Sequence, residues 1–378
     1  MIVLFIFGIK SILVDKNIKI IFILIFAFFI WCAVTSFWSP YSAFTLKRSF
    51  YFLIVASGSL FIGFYLTKYK NNLLLNSFLI LNALIILISL YSLITQTPEN
   101  SWSGGHGLGF MGFTNHQNKL GQYIYLSVAP IILFIDKNDL NKKVRYLVIV
   151  LLLINLIFIA LSVSRAAILA LFLAWLIYYL MNFQIIKTLI FSFVFVAVIA
   201  LTVVLTANFF NKKQITLVKH ENSFGERRFQ TIKDSWDSAL KGGFFGLGYG
   251  TSDERFNNPL LGYYDKTSEG DIYRREKTIS ALAIIEEVGM IGLILFITII
   301  FYPISLLLKK LFFNSEFRIL NSSFQILSFS LAILISLNVY AQIESWWIGI
   351  GSAVLPIYFV FVGNVIKESK IINVNSNG

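Results

Sequence analysis

Arg165 is the side chain whose place in the sequence points most directly to chemistry. It lies in the run LSVSRAA, residues 161–167, between two long apolar segments with almost no connection between them. One interpretation is an arginine that snorkels to the membrane interface. The other is a clamp for phosphate or diphosphate, because the planar guanidinium donates to two anionic oxygens at once.

A second polar segment, residues 112–121, opens another apolar stretch. Asn115 or Asn118 is predicted to cap the helix that follows, and the N–H groups there, with Lys119, would attract an anion. His116 has three open interpretations: a general base, an interfacial polar residue, or a residue without a role. We take His116, Asn118 and Lys119 as candidate substrate-binding residues.

A long polar stretch further on contains residues 224–240, which are predicted to form an amphipathic helix. Arg227 and Arg228 lie near its start and are candidates for substrate binding and catalysis, respectively. The predicted apolar face consists of Phe229, Ile232, Trp236, Ala239 and Leu240. The glycines of residues 242–251 then indicate a helix stop followed by a turn.

The end of this polar stretch carries more charge, in Arg275, Glu276 and Lys277. Glu286 and Glu287 follow in the first turns of the next apolar segment. Two adjacent carboxylates there are costly unless they are paired or reach water, and solvation at the helix end is one of the two explanations. Arg275 is a candidate ligand of substrate, and Glu276, Lys277 and Glu287 are candidate catalytic residues.

Composition identifies the class of protein that must position these side chains. Hydrophobic residues make up 57% of the 378 residues and charged residues 13%, and the mean hydropathy is +0.77. These values are typical of a polytopic membrane protein. Ten apolar runs approach the length of about 20 residues that a spanning helix needs: 20–38, 49–66, 73–94, 119–135, 147–161, 166–181, 188–207, 279–302, 324–340 and 348–365. Residues 1–14 are interpreted as an eleventh, partial or re-entrant span.

The spans predict three regions: a transmembrane bundle in residues 1–207, a large external loop in residues 208–278, and C-terminal transmembrane helices with a short cytoplasmic tail in residues 279–378. Lysines and arginines concentrate in alternate short connections, which places those connections in the cytoplasm and the long loop outside. The net charge of +12 is therefore explained by topology, and we expect no nucleic-acid partner.

The order of these elements resembles the O-antigen ligase and Wzy polymerase superfamily between residues 110 and 292. The resemblance consists of an Asn-containing glycine segment that opens one span, a Ser-Arg turn, an Arg-Phe helix with a tryptophan eight residues after the arginine, a glycine turn, and a Glu-x-Gly-x-x-Gly entry to the next span. It implies a bacterial, GT-C-like, all-α integral membrane glycosyltransferase of about 10–11 transmembrane helices in the inner (cytoplasmic) membrane, with its large loop and active site on the periplasmic or external side.

The resemblance also implies the reaction. The donor would be a polyprenyl-diphosphate-linked glycan among the membrane lipids, and the acceptor a glycan or lipid A core, without metal or cofactor. It assigns functional roles to Arg165 and Arg228, where a departing diphosphate needs stabilisation. Lys277 or Arg275 is expected to assist, and Glu276 or Glu287 to act as general base.

One departure from the family pattern concerns the acceptor chemistry. Ligases of this family carry a His-Asn pair nine residues before the glutamate of Glu-x-Gly, and Thr278 occupies that position here. We therefore favour a polymerase slightly over a ligase. A transporter or flippase of lipid-linked oligosaccharide is the alternative function, although the predicted spans hold few ionisable residues away from their ends. A membrane scaffold that uses the loop for docking is a third possibility.

Overall fold

The computed structural model describes residues 15–69, 71–95, 109–114, 116–135, 142–182, 184–209, 223–251, 277, 279–313, 322–344, 347 and 352–375. Residues 1–14, predicted as a partial span, lie outside this part of the chain. Within it the chain forms twelve α-helices: α1 Lys16–Val34, α2 Ser42–Tyr69, α3 Asn71–Thr95, α4 Gln117–Val128, α5 Ile131–Ile135, α6 Lys142–Leu161, α7 Arg165–Met181, α8 Ile185–Phe209, α9 Ser223–Gly242, α10 Ser280–Phe313, α11 Ser322–Ala341 and α12 Val354–Asn375.

The helices confirm an all-α integral membrane protein. Among the described residues, six segments are long and apolar enough to cross a bilayer: Lys16–Phe37, Ser42–Tyr65, Asn76–Thr95, Lys142–Leu161, Ser280–Leu311 and Phe324–Ala341. Three shorter apolar helices cover Arg165–Met181, Ile185–Ala197 and Val354–Lys367. These nine segments correspond to nine of the ten predicted spans.

The remaining predicted span, residues 119–135, does not form one continuous helix, so that prediction is wrong. It divides into α4 and the short α5, with Ala129 and Pro130 between them. Proline lacks the N–H that an α-helix needs at this point, so the hydrogen-bond ladder stops there. The Trp175 indole N–H donates to the Ala129 carbonyl at 3.0 Å and satisfies an acceptor beside the break.

The first connection is shorter than the sequence indicates. Residues 38–48 were expected to link two spans, but α2 already begins at Ser42. A short 3-10 turn, Thr35–Phe37, follows α1 directly. Arg48 consequently lies in the second turn of α2, on a rigid element instead of a loop.

The chain divides into two compact units. Unit 1 consists of Met1–Tyr65, Asn222–Lys309 and Ala341–Gly378, and unit 2 of Leu66–Glu221 and Lys310–Tyr340. The predicted three-region division, with boundaries at residues 207 and 278, stays a prediction.

Unit 1 has an aromatic core and a close contact between α2 and α12. Phe28 packs against Phe52 and Phe296, with ring centroids 4.9 and 5.1 Å apart. A Cβ on Gly63 would overlap the Val360 carbonyl, and one on Gly363 would overlap the Leu60 carbonyl. Glycine therefore lets the backbones of α2 and α12 touch, as small residues do between membrane helices.

Unit 2 is held together by buried amides. Asn82 in α3 and Asn155 in α6 exchange side-chain hydrogen bonds of 2.9 and 2.8 Å. The Asn82 amide also donates to Ser127 in α4 at 2.8 Å. The three side chains are fully buried. They satisfy one another where water is absent, so they fix how these three helices meet.

Candidate functional site

The first candidate site, in unit 1, is built on an interruption of α10. Gly289 has φ 73° and ψ −177° inside this helix. Only glycine adopts this conformation without strain. A Cβ at Gly289 would also overlap the Phe244 carbonyl oxygen, so the backbone of the preceding turn passes directly over it.

Residues 243–248 run beside the interrupted helix and take up its backbone groups. The Leu247 and Gly248 N–H groups donate to the carbonyls of Glu286 and Glu287, both at 2.9 Å. In return, the Met290 N–H donates to the Gly243 carbonyl at 3.0 Å. Polar groups that α10 cannot pair internally are thereby satisfied, and the turn is fixed against the helix.

The turn itself confirms the prediction for residues 242–251. Helix α9 ends at Gly242, and the next nine residues contain four glycines at positive φ. Gly246, at φ 80°, passes so close to the α10 backbone that a Cβ would overlap the Glu287 carbonyl oxygen. Glycine is required here because both the conformation and the space exclude a side chain.

Both carboxylates of α10 are buried and paired. Glu286 is 0% exposed and Glu287 is 2% exposed. Lys277 Nζ lies 2.6 Å from Glu287 Oε1 and 3.6 Å from Glu286 Oε2. Glu287 Oε2 accepts the Gly250 N–H at 2.7 Å. Solvation at the helix end is therefore the wrong explanation of these residues, because an ion pair with Lys277 and a backbone N–H stabilise them instead.

Lys277 also connects the two ends of residues 252–276, a polar segment within the long loop. Its ammonium donates to the Thr251 carbonyl at 2.9 Å. Thr251 immediately precedes residues 252–276 and Lys277 immediately follows them. Entry and exit of this segment therefore meet at one buried carboxylate, Glu287.

Arg48 lies beside this cluster, and sequence reasoning missed it. Its guanidinium carbon lies 5.6 Å from the centroid of the Tyr249 ring, within cation–π range. A Cβ on Gly250, the residue that donates to Glu287, would overlap the Arg48 side chain. Its sequence signal is a position just before the predicted span 49–66, but no motif distinguishes it from an interfacial cation.

Tyr249 is fixed against α1 and α2. Its N–H donates to the Thr35 hydroxyl at 3.0 Å, and its side chain is fully buried. Burial raises the pKa of the Tyr249 phenol well above its usual value of 10.0. The phenol is therefore protonated at any physiological pH and cannot act as a base.

The second candidate site, in unit 2, contains Arg165. Helix α6 ends at Leu161 and Arg165 is the first residue of α7, so the predicted tight turn is present. Val163 in this turn has φ 52°, a conformation that is costly for a β-branched residue. Ser162 and Ser164 are buried whereas Arg165 is exposed.

The N-terminus of α4 carries the other predicted residues of this site. His116 is the N-cap, and its Nδ1 accepts the Asn118 N–H at 3.1 Å. The cap predicted at Asn118 is therefore wrong, because Asn118 lies inside the first turn and its N–H is the group being capped. Asn115, the other predicted cap, lies outside the described residues. Lys119 is exposed on the same turn.

These two parts of unit 2 lie against each other. A Cβ on Gly121, in the second turn of α4, would overlap the side chain of Ser164, which precedes α7. The Phe110 N–H donates to the Leu161 carbonyl at 2.8 Å and ties the segment before α4 to the end of α6. The Ser164 hydroxyl is buried without a hydrogen-bond partner among the described residues. The structure thus brings the Arg165 turn beside the helix start that carries His116, Asn118 and Lys119.

The remaining predicted residues are less fully described. Arg227 and Arg228 belong to the first two turns of α9, which confirms the predicted helix without placing their side chains. Arg275 and Glu276 lie outside the described residues. Within the part of the chain that the structure describes, no group of three or more His, Cys, Asp and Glu side chains is arranged to hold a metal ion.

Comparison with known proteins identifies a family for the part of the chain that contains most of these residues. Residues 148–297, less than half of the chain, match the family model described as O-antigen ligase. The matched range includes Arg165, Arg228, Lys277 and Glu287 but leaves out Arg48 and the start of α4. No curated protein gave a significant match.

The family supports, in general terms, membrane glycosyl transfer of the O-antigen ligase type. This activity agrees with the helices that are long and apolar enough to cross a bilayer. It also agrees with the sequence resemblance, which includes the Ser-Arg turn and the Glu-x-Gly entry. The match over residues 148–297 supports membership of the O-antigen ligase and Wzy superfamily.

Proposed function

We propose that the protein extends or transfers a surface polysaccharide from a polyprenyl-diphosphate-linked donor at the outer face of the cytoplasmic membrane. The acceptor would be a hydroxyl of a second lipid-linked glycan for a polymerase, or of lipid A core for a ligase. Polymerisation is the favoured reaction, because Thr278 stands where ligases of the family carry histidine.

The observation that carries the proposal is the meeting of two helix starts in unit 2. Lys119 lies in the first turn of α4 and Arg165 opens α7, and both side chains are exposed. Helix N-termini present partial positive charge and backbone N–H groups. Two such ends with two cations suit a diphosphate, which carries several anionic oxygens close together.

The polar groups around these helix starts add to the fit. The buried Ser164 hydroxyl retains an unused donor beside Arg165. The Nδ1 atom of His116 accepts the Asn118 N–H in the helix cap, so that nitrogen carries no proton in this arrangement. We propose that His116 shapes the helix start, and that Arg165 and Lys119 contact the donor.

The chemistry is a displacement at the anomeric carbon. The acceptor oxygen forms the new C–O bond, its proton passes to a base, and the bond to the diphosphate breaks as that group leaves with the electron pair. Arg165 would stabilise the charge that grows on the leaving group. Arg228 and Arg275 stay candidates for catalysis and substrate binding from the sequence.

Glu287 is better suited to holding the loop than to accepting this proton. Its two oxygens are engaged by Lys277 and by the Gly250 N–H. A base must reach the hydroxyl that it deprotonates, whereas this carboxylate is buried and occupied. Glu276 remains the other candidate base from the sequence.

The test compares two arginine variants in full-length protein reconstituted in lipid nanodiscs with lipid-linked repeat units. Arg165→Ala should lower transfer by a factor of about 100 or more, as expected when a donor to developing charge is lost. Arg145→Ala is the matched control, because Arg145 lies near the opposite end of α6 from this turn, about 24 Å away along the helix. Equal activity of the two variants would exclude the proposed role of Arg165.

Glycan electrophoresis of a strain that lacks the protein separates the two reactions. Single repeat units on the lipid anchor indicate a missing polymerase, and long polymer retained on the polyprenyl carrier indicates a missing ligase. Purified protein that moves lipid-linked glycan across a bilayer without lengthening or transferring it would instead support the flippase.

A further inference from the structure

Helix α9 presents its large apolar side chains outward. Phe229 is 70% exposed, Trp236 57% and Leu240 65%, and Ile232 is also exposed. The residues of α9 that are buried are small: Ser235, Ser238, Ala239 and Gly242. A helix on the surface of a water-soluble protein shows the opposite arrangement. The predicted apolar face is therefore split, because Ala239 packs inward while its four larger members do not.

The angular arrangement divides α9 into three sides. At about 100° per residue, Phe229, Ile232, Trp236 and Leu240 fall within an arc of about 80°, which we call the apolar stripe. The small buried residues occupy the neighbouring arc on one side. Lys233, Asp237 and Lys241 follow the stripe on its other side. One side of the helix thus meets the protein, one side is apolar, and one side is charged.

The rotation of α9 is fixed by its C-terminal end. A Cβ on Gly242 would overlap the Ile285 carbonyl oxygen of α10, so this end of α9 touches the α10 backbone. The turn that follows is hydrogen-bonded along α10 as far as Ile291. The apolar stripe cannot turn inward while these contacts hold, because the side of α9 that carries Gly242 already packs against α10.

The stripe continues into an aromatic surface at the end of α1. Phe244 and Phe245, just after α9, are 71% and 59% exposed. The Phe245 ring lies 6.3 Å from the Trp31 ring and 6.2 Å from the Trp38 ring. Trp38 donates its indole N–H to the Gly246 carbonyl at 2.9 Å and leaves 42% of its surface exposed. Exposed aromatic residues of this kind mark the boundary between lipid and water.

Two membrane-spanning helices adjoin this surface with apolar side chains outward. Ile30 of α1 is 44% exposed, and Met290 and Ile294 of α10 are 42% and 61% exposed. Both helices are long and apolar enough to cross a bilayer. The lipid-facing surface of unit 1 is therefore continuous with the apolar stripe through Phe244 and Phe245.

We propose that α9 is an interfacial helix whose apolar stripe is embedded in the surface of the lipid bilayer. The bilayer is the occupant that fits, because the stripe continues a lipid-facing surface and is bordered by the charged side that would face water. An amphipathic helix in the membrane plane has this combination of faces. The membrane surface would then hold the start of the long loop at a fixed depth.

The test uses full-length protein in nanodiscs, with nitroxide labels on single cysteines and Cys32→Ala as background, because Cys32 is the only cysteine. Ile232→Cys and Leu240→Cys report on the stripe, and Lys233→Cys and Asp237→Cys are the matched controls on the charged side. Power-saturation electron paramagnetic resonance measures collision with oxygen, which concentrates in lipid, and with a water-soluble nickel chelate.

Stripe labels should collide more with oxygen than with nickel, and the controls should show the reverse. Ile232, Lys233 and Leu240 are exposed and Asp237 is half-buried, so the substitutions should leave folding intact, and monodisperse elution on size exclusion checks this. Nickel-accessible stripe labels would overturn the proposal because the stripe would face water. Labels shielded from both reagents would also overturn it, since a second copy or another protein would then cover the stripe.

Discussion

Lys277 Nζ lies 2.6 Å from Glu287 Oε1, inside a site where Glu287 is 2% exposed and Lys277 16%. These two residues are ten positions apart, at the exit of the long polar segment and in the first turns of α10. The same ammonium donates to Thr251, on the entry side of that segment. Lys277 therefore does two things: it holds the entry and exit of residues 252–276 together, and it neutralises the buried Glu287 carboxylate.

Loss of Lys277 should destabilise the fold strongly. Lys277→Met leaves two buried carboxylates without their cation, and breaking a buried ion pair from one side costs about 3–5 kcal/mol. Adding Glu287→Gln to that variant should recover part of the loss, because the uncompensated charge is removed. Apparent Tm in detergent, measured by size exclusion after heating, checks both expectations.

The control for this pair is Lys233→Met, which removes an exposed lysine of α9. Its Tm should stay close to that of the parent, since exposed charges contribute roughly 0–1 kcal/mol. A Tm of Lys277→Met equal to that of the control would contradict a stabilising role for the pair.

Gly289→Ala should destabilise more than Gly243→Ala. Both glycines have positive φ, so both substitutions cost roughly 1 kcal/mol or more in backbone strain. At Gly289 the added Cβ also overlaps the Phe244 carbonyl, whereas at Gly243 its nearest neighbour is 3.7 Å away. We expect a total of about 3 kcal/mol at Gly289, seen as a lower Tm. Similar Tm values for the two variants would show that the close approach of turn and helix is unimportant.

Val163→Asn should stabilise the turn before Arg165. Valine at φ 52° is strained, whereas asparagine enters this region readily, so a gain of about 1 kcal/mol is expected. Val163→Ile keeps the β-branched side chain and should give no gain. Thermal stability of the two variants is the measurement, and an equal or lower Tm for Val163→Asn would argue against strain at this residue.

The Asn82–Asn155 pair should behave as one unit in a double-mutant cycle. Asn82→Leu or Asn155→Leu alone leaves a buried amide unsatisfied and should cost about 1–2 kcal/mol. The double variant should cost less than the sum of the singles, because neither amide remains. Asn338→Leu is the control, since its Nδ2 donates only to Leu334 within its own helix. Additive costs for the pair would mean that the two amides act independently.

The predicted fold could be read from the sequence because its signals are local. Apolar runs placed nine spans near helices that the structure contains, and the period of α9 and the glycines after it predicted where that helix ends. Pro130 was also visible in the sequence, yet hydropathy alone did not show that it divides a predicted span. A helix break changes the backbone hydrogen bonds while the segment remains apolar, so the mean hydropathy of the segment does not reveal the break.

The candidate sites were less accessible to sequence reasoning. Arg165 and the start of α4 were recognised separately, and only their contact through Gly121 and Ser164 puts them side by side. His116 is the cap of α4 and Asn118 is not, because the choice depends on the backbone angles of the cap residue and the direction of one imidazole. The side chains of Arg227 and Arg228 and the positions of Arg275 and Glu276 stay predictions.

By itself, the sequence determined an all-helical membrane protein that resembles the O-antigen ligase and Wzy superfamily, because hydropathy, helical period and short motifs are properties of neighbouring residues. Only the tertiary structure decided that Glu286 and Glu287 are buried with Lys277, that Arg48 lies beside them, and that the large apolar side chains of α9 face outward. The backbone of the turn after α9 passes directly over Gly289, and the same turn brings the Gly250 N–H to Glu287. That close approach requires Gly246 and Gly289, which lie 43 residues apart in the chain, and no local pattern encodes it.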